Sequence, residues 1–313
     1  DGNSFSILSN PEFLAEGSAI NDLKNPDRVL IGGDDDDSIS SLSNIYLKWV
    51  PEEKIIRTNL WSSELSKLTA NAFLSQRVSS INSISALCEK TGAAIEEVSL
   101  AIGTDSRIGK YFLKAGPGFG GSCFKKDILN LIYLSNYFGL YEVAAYWQSV
   151  IELNTWQQKR ICEVIIEKLF GTLSGKHIAL LGFAFKANTN DTRESPSIEI
   201  GKNLLEEGAI LKIYDPKVNK IQIERDLQLK ENANYKNNEG SWEFKSSIEE
   251  AIKNSDAVLI LTEWDRFKYI NWKNISGSMR KPAWVFDTRS IVDQKEIFKT
   301  NLRLWRVGEG VLK

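Results

Sequence analysis

One histidine, one methionine and three cysteines are few for 313 residues, and each scarcity closes off a class of function. A thiol hydrolase needs a histidine partner beside its nucleophile. His177 is the one available, and it opens a predicted interior strand, a place suited to packing. A structural zinc site needs closely spaced Cys or His ligands, and no two stand near each other. Cys88, Cys123 and Cys162 are odd in number and far apart. They form no disulfide framework, which points to a reducing, cytoplasmic setting. No apolar run approaches the roughly 18 residues of a membrane span, and no charged-then-apolar leader opens the chain. The net charge is -2, so there is no basic face for nucleic acid. The chain starts at Asp1 and its methionine is Met279. It is therefore expected to be part of a longer protein.

What is present reads as a soluble globular protein of about two domains. Hydrophobic residues make up 42% and charged residues 26%, with nine tryptophans and fourteen phenylalanines as large packing units. Residues 5–8 and 28–31 read as short buried strands. Between them Asn10, Pro11 and Gly17 are placed to cap, start and end a helix. Asp34 to Asp37 read as a solvated loop, and 38–49 as an amphipathic helix. From Ser62 to Thr91 neither Gly nor Pro interrupts a helical pattern of Leu65, Leu68, Ala72, Val78, Ile81, Ile84 and Leu87. The result is a helix roughly 40 Å long, a spine between domains. Helices follow at 94–102, 123–138 and 141–170. From about 172 the pattern changes to strands at 177–182, 210–214, 257–261 and 284–286. They alternate with helices at 195–208 and 248–254, with a polar loop at 230–242. That alternation predicts a doubly wound, Rossmann-like α/β domain over 172–313.

The densest chemical signal runs from Gly116 to Asp127, Gly-Pro-Gly-Phe-Gly-Gly-Ser-Cys-Phe-Lys-Lys-Asp. Its glycines match the spacing of a dinucleotide fingerprint. A helical stretch precedes it, however, where that fingerprint requires a strand. The segment instead reads as a flexible loop delivering Cys123 to a helix start. With Ser122 as N-cap, Cys123 falls in the first helical turn. There the dipole and the neighbouring Lys125 and Lys126 favour thiolate. Asp127 follows on the same helical face. Glu12 and Glu16 share a face of the first predicted helix, and Lys67 and Asn71 a face of the long one. Carboxylates there could handle a water; a lysine there could meet a developing oxyanion. Solvated surface charge accounts for either pair taken alone. Lys186, Arg193 and the helix start near Ser195 follow the first strand of the last domain. Arg289 follows a later one. Ligands bind at such strand ends, and these groups make an anion site.

Five segments together resemble the nucleotide-sugar dehydrogenase family. They are Ser9–Gly17, Asn25–Gly33, Ser63–Phe73, Gly116–Asp127 and Gly182–Lys186, in order along nearly the whole chain. The resemblance implies a four-electron, NAD-dependent oxidation of UDP-glucose to UDP-glucuronate. It implies that Cys123 attacks the C6 aldehyde and carries a thiohemiacetal and then a thioester. Asp127 and Glu12 would handle water and protons, and Lys67 and Asn71 would hold the C6 oxygen. Lys114 to Gly120, including Phe119, would embrace the UDP-sugar. Arg107, Phe185, Lys186 and Arg289 would contact it, Arg289 from another subunit or a neighbouring domain edge. Glu16 would lie between sugar and cofactor, and Lys126 and Arg193 would approach NAD. The family's glycine-rich turn is missing from this sequence, so residues 1–60 read as a remnant of its NAD-binding domain. Residues 61–171 would then be a helical dimerisation region with the catalytic loop, and 172–313 the UDP-sugar domain. This chain alone is expected to bind NAD poorly and to be inactive, with self-association along the long helix. Two other readings stay open: a sister enzyme acting on GDP-mannose or a UDP-N-acetyl-hexosamine, and a non-catalytic nucleotide-sugar-binding protein.

Overall fold

The computed structural model describes residues 5–236 and 238–312. They form two compact units, one of residues up to Phe73 with Asp127–Ala144, the other of Leu74–Lys126 with Ala145 onward.

In the first unit β1 (Val29–Gly32) pairs in parallel with β2 (Ile55–Thr58), Val29 opposite Ile55. Before them lies α1 (Ala19–Lys24), and between them α2 (Asp36–Tyr46), which completes a βαβ turn. Val29, Ile31, Ile39, Val50 and Ile55 close a small core. The aspartate run is not the loop expected of it. Asp35 caps α2 by accepting from the Ser38 amide at 2.9 Å, and Asp36 and Asp37 form the first turn, where negative charge suits the helix dipole. Nor do residues 5–8 form a strand. Phe5 and Ile7 are exposed, and an isolated bridge from Ser9 to Gly32 stands in its place. The helix expected after Asn10 is also absent. The Asn10 amide donates to the Leu30 carbonyl at 2.8 Å, and its oxygen accepts from the Tyr46 hydroxyl at 2.6 Å. Its capping capacity is spent on tertiary contacts, so Glu12 and Glu16 do not share a helical face.

The long helix is real: α3 spans Leu60–Thr91, 32 residues. Its buried stripe is not the apolar one expected. Ala72 and Ile81 are buried, but Leu65, Ile84 and Leu87 are exposed. The buried face is instead built of Ser63, Ser75, Ser79, Asn82, Ser85 and Cys88. Small side chains allow close approach of a neighbouring backbone, and the Ser79 hydroxyl donates to the Val150 carbonyl at 2.8 Å. Three more helices follow, α4 (Ile95–Thr104), α5 (Phe124–Tyr137) and α6 (Tyr141–Lys168). Among the described residues no helix is long and apolar enough to cross a membrane.

The second unit is built on a seven-stranded sheet. Its strands are β3 (His177–Leu181), β4 (Ile210–Tyr214), β5 (Ser241–Phe244), β6 (Ala257–Ile260), β7 (Trp284–Asp287), β8 (Arg303–Arg306) and β9 (Gly310–Leu312). The order is β5-β4-β3-β6-β7-β8-β9, parallel except for the last pair. The crossover helices include α7 (Pro196–Glu206), α8 (Lys220–Leu227) and α9 (Ile248–Ile252). Strands β6 and β7 are buried throughout, as expected of a sheet covered on both faces. The strand order reverses between β3 and β6, and the crevice beyond their carboxyl ends is where such sheets bind ligands. The sequence pattern missed β8 and β9, and β5 starts inside the polar stretch expected to be a loop. His177 does open the interior strand β3, where burial, with Arg280 and Lys212 nearby, pushes its imidazole pKa down.

Leu180 is fully buried between Ile213 and Leu259 on the neighbouring strands. Leu180→Ala should lower the unfolding free energy by about 2–5 kcal/mol, the range for a leucine deleted from a packed core. Urea denaturation measures it, and a loss under ~1 kcal/mol would mean that this strand does not anchor the unit.

Candidate active site

In the second unit the glycine loop lies against the segment that leaves β3. The Gly121 amide donates to the Arg193 carbonyl at 2.9 Å. A Cβ on Gly120 would stand 2.4 Å from the Glu194 carbonyl oxygen, and one on Gly121 would stand 3.1 Å from the Phe185 ring. Glycine at 120 is thus a steric requirement, since a carbonyl oxygen is rigid backbone. Gly121 also has φ +87, a conformation that side chains disfavour. Phe119 and Gly120, expected to embrace the ligand, are thereby brought beside Phe185 and Arg193.

Cys123 immediately precedes α5, which starts at Phe124, rather than lying within its first turn. Its Sγ lies 3.6 Å from the Ser122 hydroxyl. The thiol is half-buried, whereas Cys88 and Cys162 are buried. Burial pushes the Cys162 thiol up to about 12 and raises that of Cys88. The Lys125 ammonium is paired with Glu194 at 2.8 Å. Glu194, absent from the sequence expectation, holds φ +52. A cleft of about 690 Å³ opens here, lined by Phe119, Ser122, Lys125, Arg193 and Glu194 among others.

The cations at the strand ends are similarly paired. Arg193 meets Asp191 at 2.7 Å. Arg289 of this same chain reaches the Leu261 carbonyl at 2.7 Å, the Phe185 carbonyl at 3.2 Å and the Glu263 carboxylate at 3.2 Å. Its guanidinium lies 3.6 Å from where a Cβ on Gly116 would stand. Lys186 lies over the Phe185 ring, 5.5 Å from its centre. Burial works against the Glu263 carboxylate. Arg289, the Ala187 amide and the charge of Lys114 outweigh it and hold the group below the usual range. The loop after β3 is shaped by Asp215, which accepts from the amides of Phe183, Ala184, Lys217 and Val218. Arg107 is not drawn to this place. Its side chain is 88% exposed and paired with Asp105.

In the first unit the other expected residues meet in pairs. The Lys67 ammonium donates to the Glu12 carbonyl and lies 3.1 Å from its carboxylate. Asn71 donates to Asp127 at 2.6 Å, and that carboxylate is only 3% exposed. Glu16 is exposed, as is Lys126 of the second unit.

These residues fall within three matched family models. Residues 1–50 match the NAD binding domain of the UDP-glucose/GDP-mannose dehydrogenase family, 61–156 its central domain and 179–294 its UDP binding domain. The chain is 57% identical over 311 residues to a UDP-glucose 6-dehydrogenase of Gallus gallus, covering 97% of this chain and 63% of that protein. It is 49% identical over 329 residues to UDP-glucose 6-dehydrogenase 1 of Glycine max, covering 98% and 67%. The chain belongs to the UDP-glucose/GDP-mannose dehydrogenase family. A solved UDP-glucose dehydrogenase of Pyrobaculum islandicum matches with TM-score 0.82 at 32% identity, over 94% of this chain and 62% of that one. The chain thus spans about two thirds of the length of the relatives it matches. Within the family's central domain lie Lys67, Asn71, Arg107, Lys114, Cys123 and Asp127, and within its UDP binding domain Phe185, Lys186, Arg193 and Arg289.

The family has an NAD-binding domain, and NAD is its cofactor. The βαβ turn of the first unit does not suit the cofactor's phosphates. Its helix start carries Asp34 to Asp37, and four carboxylates repel the pyrophosphate that such a helix start would otherwise attract.

The Glu263–Arg289 pair has a pH signature. Its carboxylate pKa is depressed from the ordinary 4.5, so its stabilising contribution is complete above that value and is lost as the pH falls through the folded-state pKa. Melting temperatures of the parent and Glu263→Gln should therefore differ at pH 7, and the difference should shrink as the pH is taken below 4.5. A constant difference across that range would mean that the pair is not what Glu263 contributes.

Proposed function

We propose that the protein containing this chain oxidises the C6 hydroxymethyl of UDP-glucose to the carboxylate of UDP-glucuronate in two NAD-dependent steps. The observation that carries this reading is the seating of the Cys123 loop on the Phe185–Glu194 segment at the switch point of the sheet. It supports a thiol presented to a ligand held by the strand ends. When bound, NAD supplies the hydride acceptor for both oxidations. Cys123 Sγ adds to the C6 aldehyde, forming the C–S bond of a thiohemiacetal, and after the second oxidation holds a thioester. Water cleaves that thioester, returning the thiol and releasing the acid. Lys67 and Asn71 donate to the C6 oxygen as it gains charge. Asp127 and Glu12 orient water and move its proton. Phe119, Gly120, Lys114, Phe185, Lys186, Arg107 and Arg289 hold the UDP-sugar. Glu16, Lys126 and Arg193 face the cofactor.

In this reading residues 1–60 belong to the NAD-binding domain, 61–171 to a helical region and 172–313 to the UDP-sugar domain. Three free thiols favour the reducing cytoplasm. The UDP-glucose specificity of the curated relatives favours that sugar over GDP-mannose.

Titration of the folded chain with UDP-glucose, GDP-mannose and a UDP-N-acetyl-hexosamine should show binding of the first. In parallel, iodoacetamide should label Cys123 well ahead of Cys88 and Cys162, and UDP-glucose should slow that labelling. Absence of UDP-sugar binding, or equal labelling of all three thiols, would sink the reading. We propose self-association through α3 as well, since it exposes Trp61, Leu65, Phe73, Ile84 and Leu87. Light scattering should give at least a dimer, and a strict monomer at micromolar concentration would exclude it.

A further inference from the structure

Gly116 to Phe119 are buried yet belong to no strand. A buried amide or carbonyl left unpaired is costly, so these groups must find partners elsewhere. They find side-chain carboxamides. The Gly116 amide donates to Asn82 Oδ1 at 2.8 Å, and the Gly116 carbonyl accepts from Gln157 Nε2 at 2.8 Å. The Phe119 amide donates to Asn154 Oδ1 at 2.8 Å, and its carbonyl accepts from Asn154 Nδ2 at 3.3 Å. Asn154 and Gln157 are three residues apart on α6 and face the same way. Asn82 is on α3. The three are 8%, 0% and 1% exposed in the order Asn154, Gln157, Asn82. A carboxamide has the donor and acceptor of a peptide group, so α6 presents to the loop what a neighbouring strand would have presented. Gly118 makes room for it: a Cβ there would lie 2.6 Å from Asn154 Oδ1.

An amide can face either way, and here the direction is set. Arg160 Nε donates to Gln157 Oε1 at 3.1 Å. A guanidinium only donates, so the Gln157 oxygen must face Arg160 and its NH₂ must face Gly116. Arg160 is itself fixed by Glu89 at 2.8 Å, the two side chains being 11% and 9% exposed. The other oxygen of Glu89 accepts from the Gly308 amide at 2.9 Å. One polar chain thus runs from the turn between β8 and β9 through Glu89, Arg160 and Gln157 to the loop.

We infer that Asn154 and Gln157 are positioning residues that set the approach of the Cys123 loop, with Arg160 and Glu89 fixing the direction of the Gln157 amide. The inference rests on Cys123 being the reacting group in the proposed function. Gln157→Glu tests it with almost no change of shape. The carboxylate still accepts from Arg160, but it cannot donate to the Gly116 carbonyl and repels it. Asn154→Asp likewise keeps the Phe119 amide bond and loses donation to the Phe119 carbonyl. In the 313-residue chain each variant should keep its circular dichroism spectrum. The iodoacetamide rate at Cys123 should change about threefold or more, and UDP-glucose affinity should fall roughly tenfold, as for a lost buried hydrogen bond. Arg160→Lys, which keeps charge on Glu89 but frees the Gln157 amide to turn, should move the Cys123 rate in the same direction by less. A lowered melting temperature with an unchanged Cys123 rate would overturn the inference, because the amides would then be structural only. If Gln157→Glu fails to fold, the same comparison is made on Asn154→Asp and Arg160→Lys, and unchanged rates in both overturn it. If the parent chain binds no UDP-glucose, the proposed function falls, while the Cys123 rates still decide the inference.

Discussion

A backbone oxygen occupies the space where residue 120 would otherwise have a side chain. The Glu194 carbonyl is 2.4 Å from that point, well inside van der Waals contact. This close approach sets the rest of the site. It permits the Gly121 amide to reach the Arg193 carbonyl and stacks the loop on Phe185. Any side chain at 120 would force the loop to give way. Such a displacement is enough to spoil the alignment of a nucleophile.

The same principle works on a larger scale in α3. Its buried stripe is made of serines, an asparagine and a cysteine, with few large apolar groups. Hydrophobic burial there is modest, and the gain lies in proximity: a short side chain such as Ser79 reaches a backbone carbonyl of α6 directly. Close approach also brings Asn82 within reach of Gly116. Large apolar residues are displaced to the exposed side, which explains why a periodicity reading of Leu65, Ile84 and Leu87 pointed to the wrong face.

Legibility in the sequence followed from how local each determinant was. The long helix, the alternation after residue 172 and the Ser195-Pro196 helix start depend on neighbours in the chain, and they were readable. So was the loop around Cys123, since glycines, thiol and lysines are contiguous. The helix after Asn10 was misread because the decisive partners of that side chain, Leu30 and Tyr46, are remote in sequence. Strand β8, Arg-Leu-Trp-Arg, and the three-residue β9, which starts at Gly310, lack the continuous apolar run that marks β6 and β7. The acceptors of charge were also invisible. Nothing near Arg289 in sequence announces Glu263, and nothing near Lys125 announces Glu194. The polar residues of α6 could have been noticed, since Asn154, Gln157 and Arg160 recur every three residues on one face of a helix. Without the loop opposite, that face reads as solvent.

The pairing of these cations bears on what the site can do. Lys125 and Glu194 are each nearly half exposed, 45% and 49% by side chain. An ion pair so hydrated is worth about 0–1 kcal/mol, so an anionic ligand can take Lys125 from Glu194 at little cost. Arg193 is 64% exposed by side chain and its Asp191 partner 9%. Arg289 differs. It is 16% exposed, and it holds two backbone carbonyls as well as Glu263. Releasing it would strand buried acceptors, which costs more than the ion pair alone. Arg289 therefore acts as a fixed part of the wall, shaping the place where Gly116 passes. Lys125, in its hydrated pair, is held far less firmly than Arg289. The contrast is between an exposed pair that breaks cheaply, Lys125 with Glu194, and a buried cation tied to backbone carbonyls, Arg289.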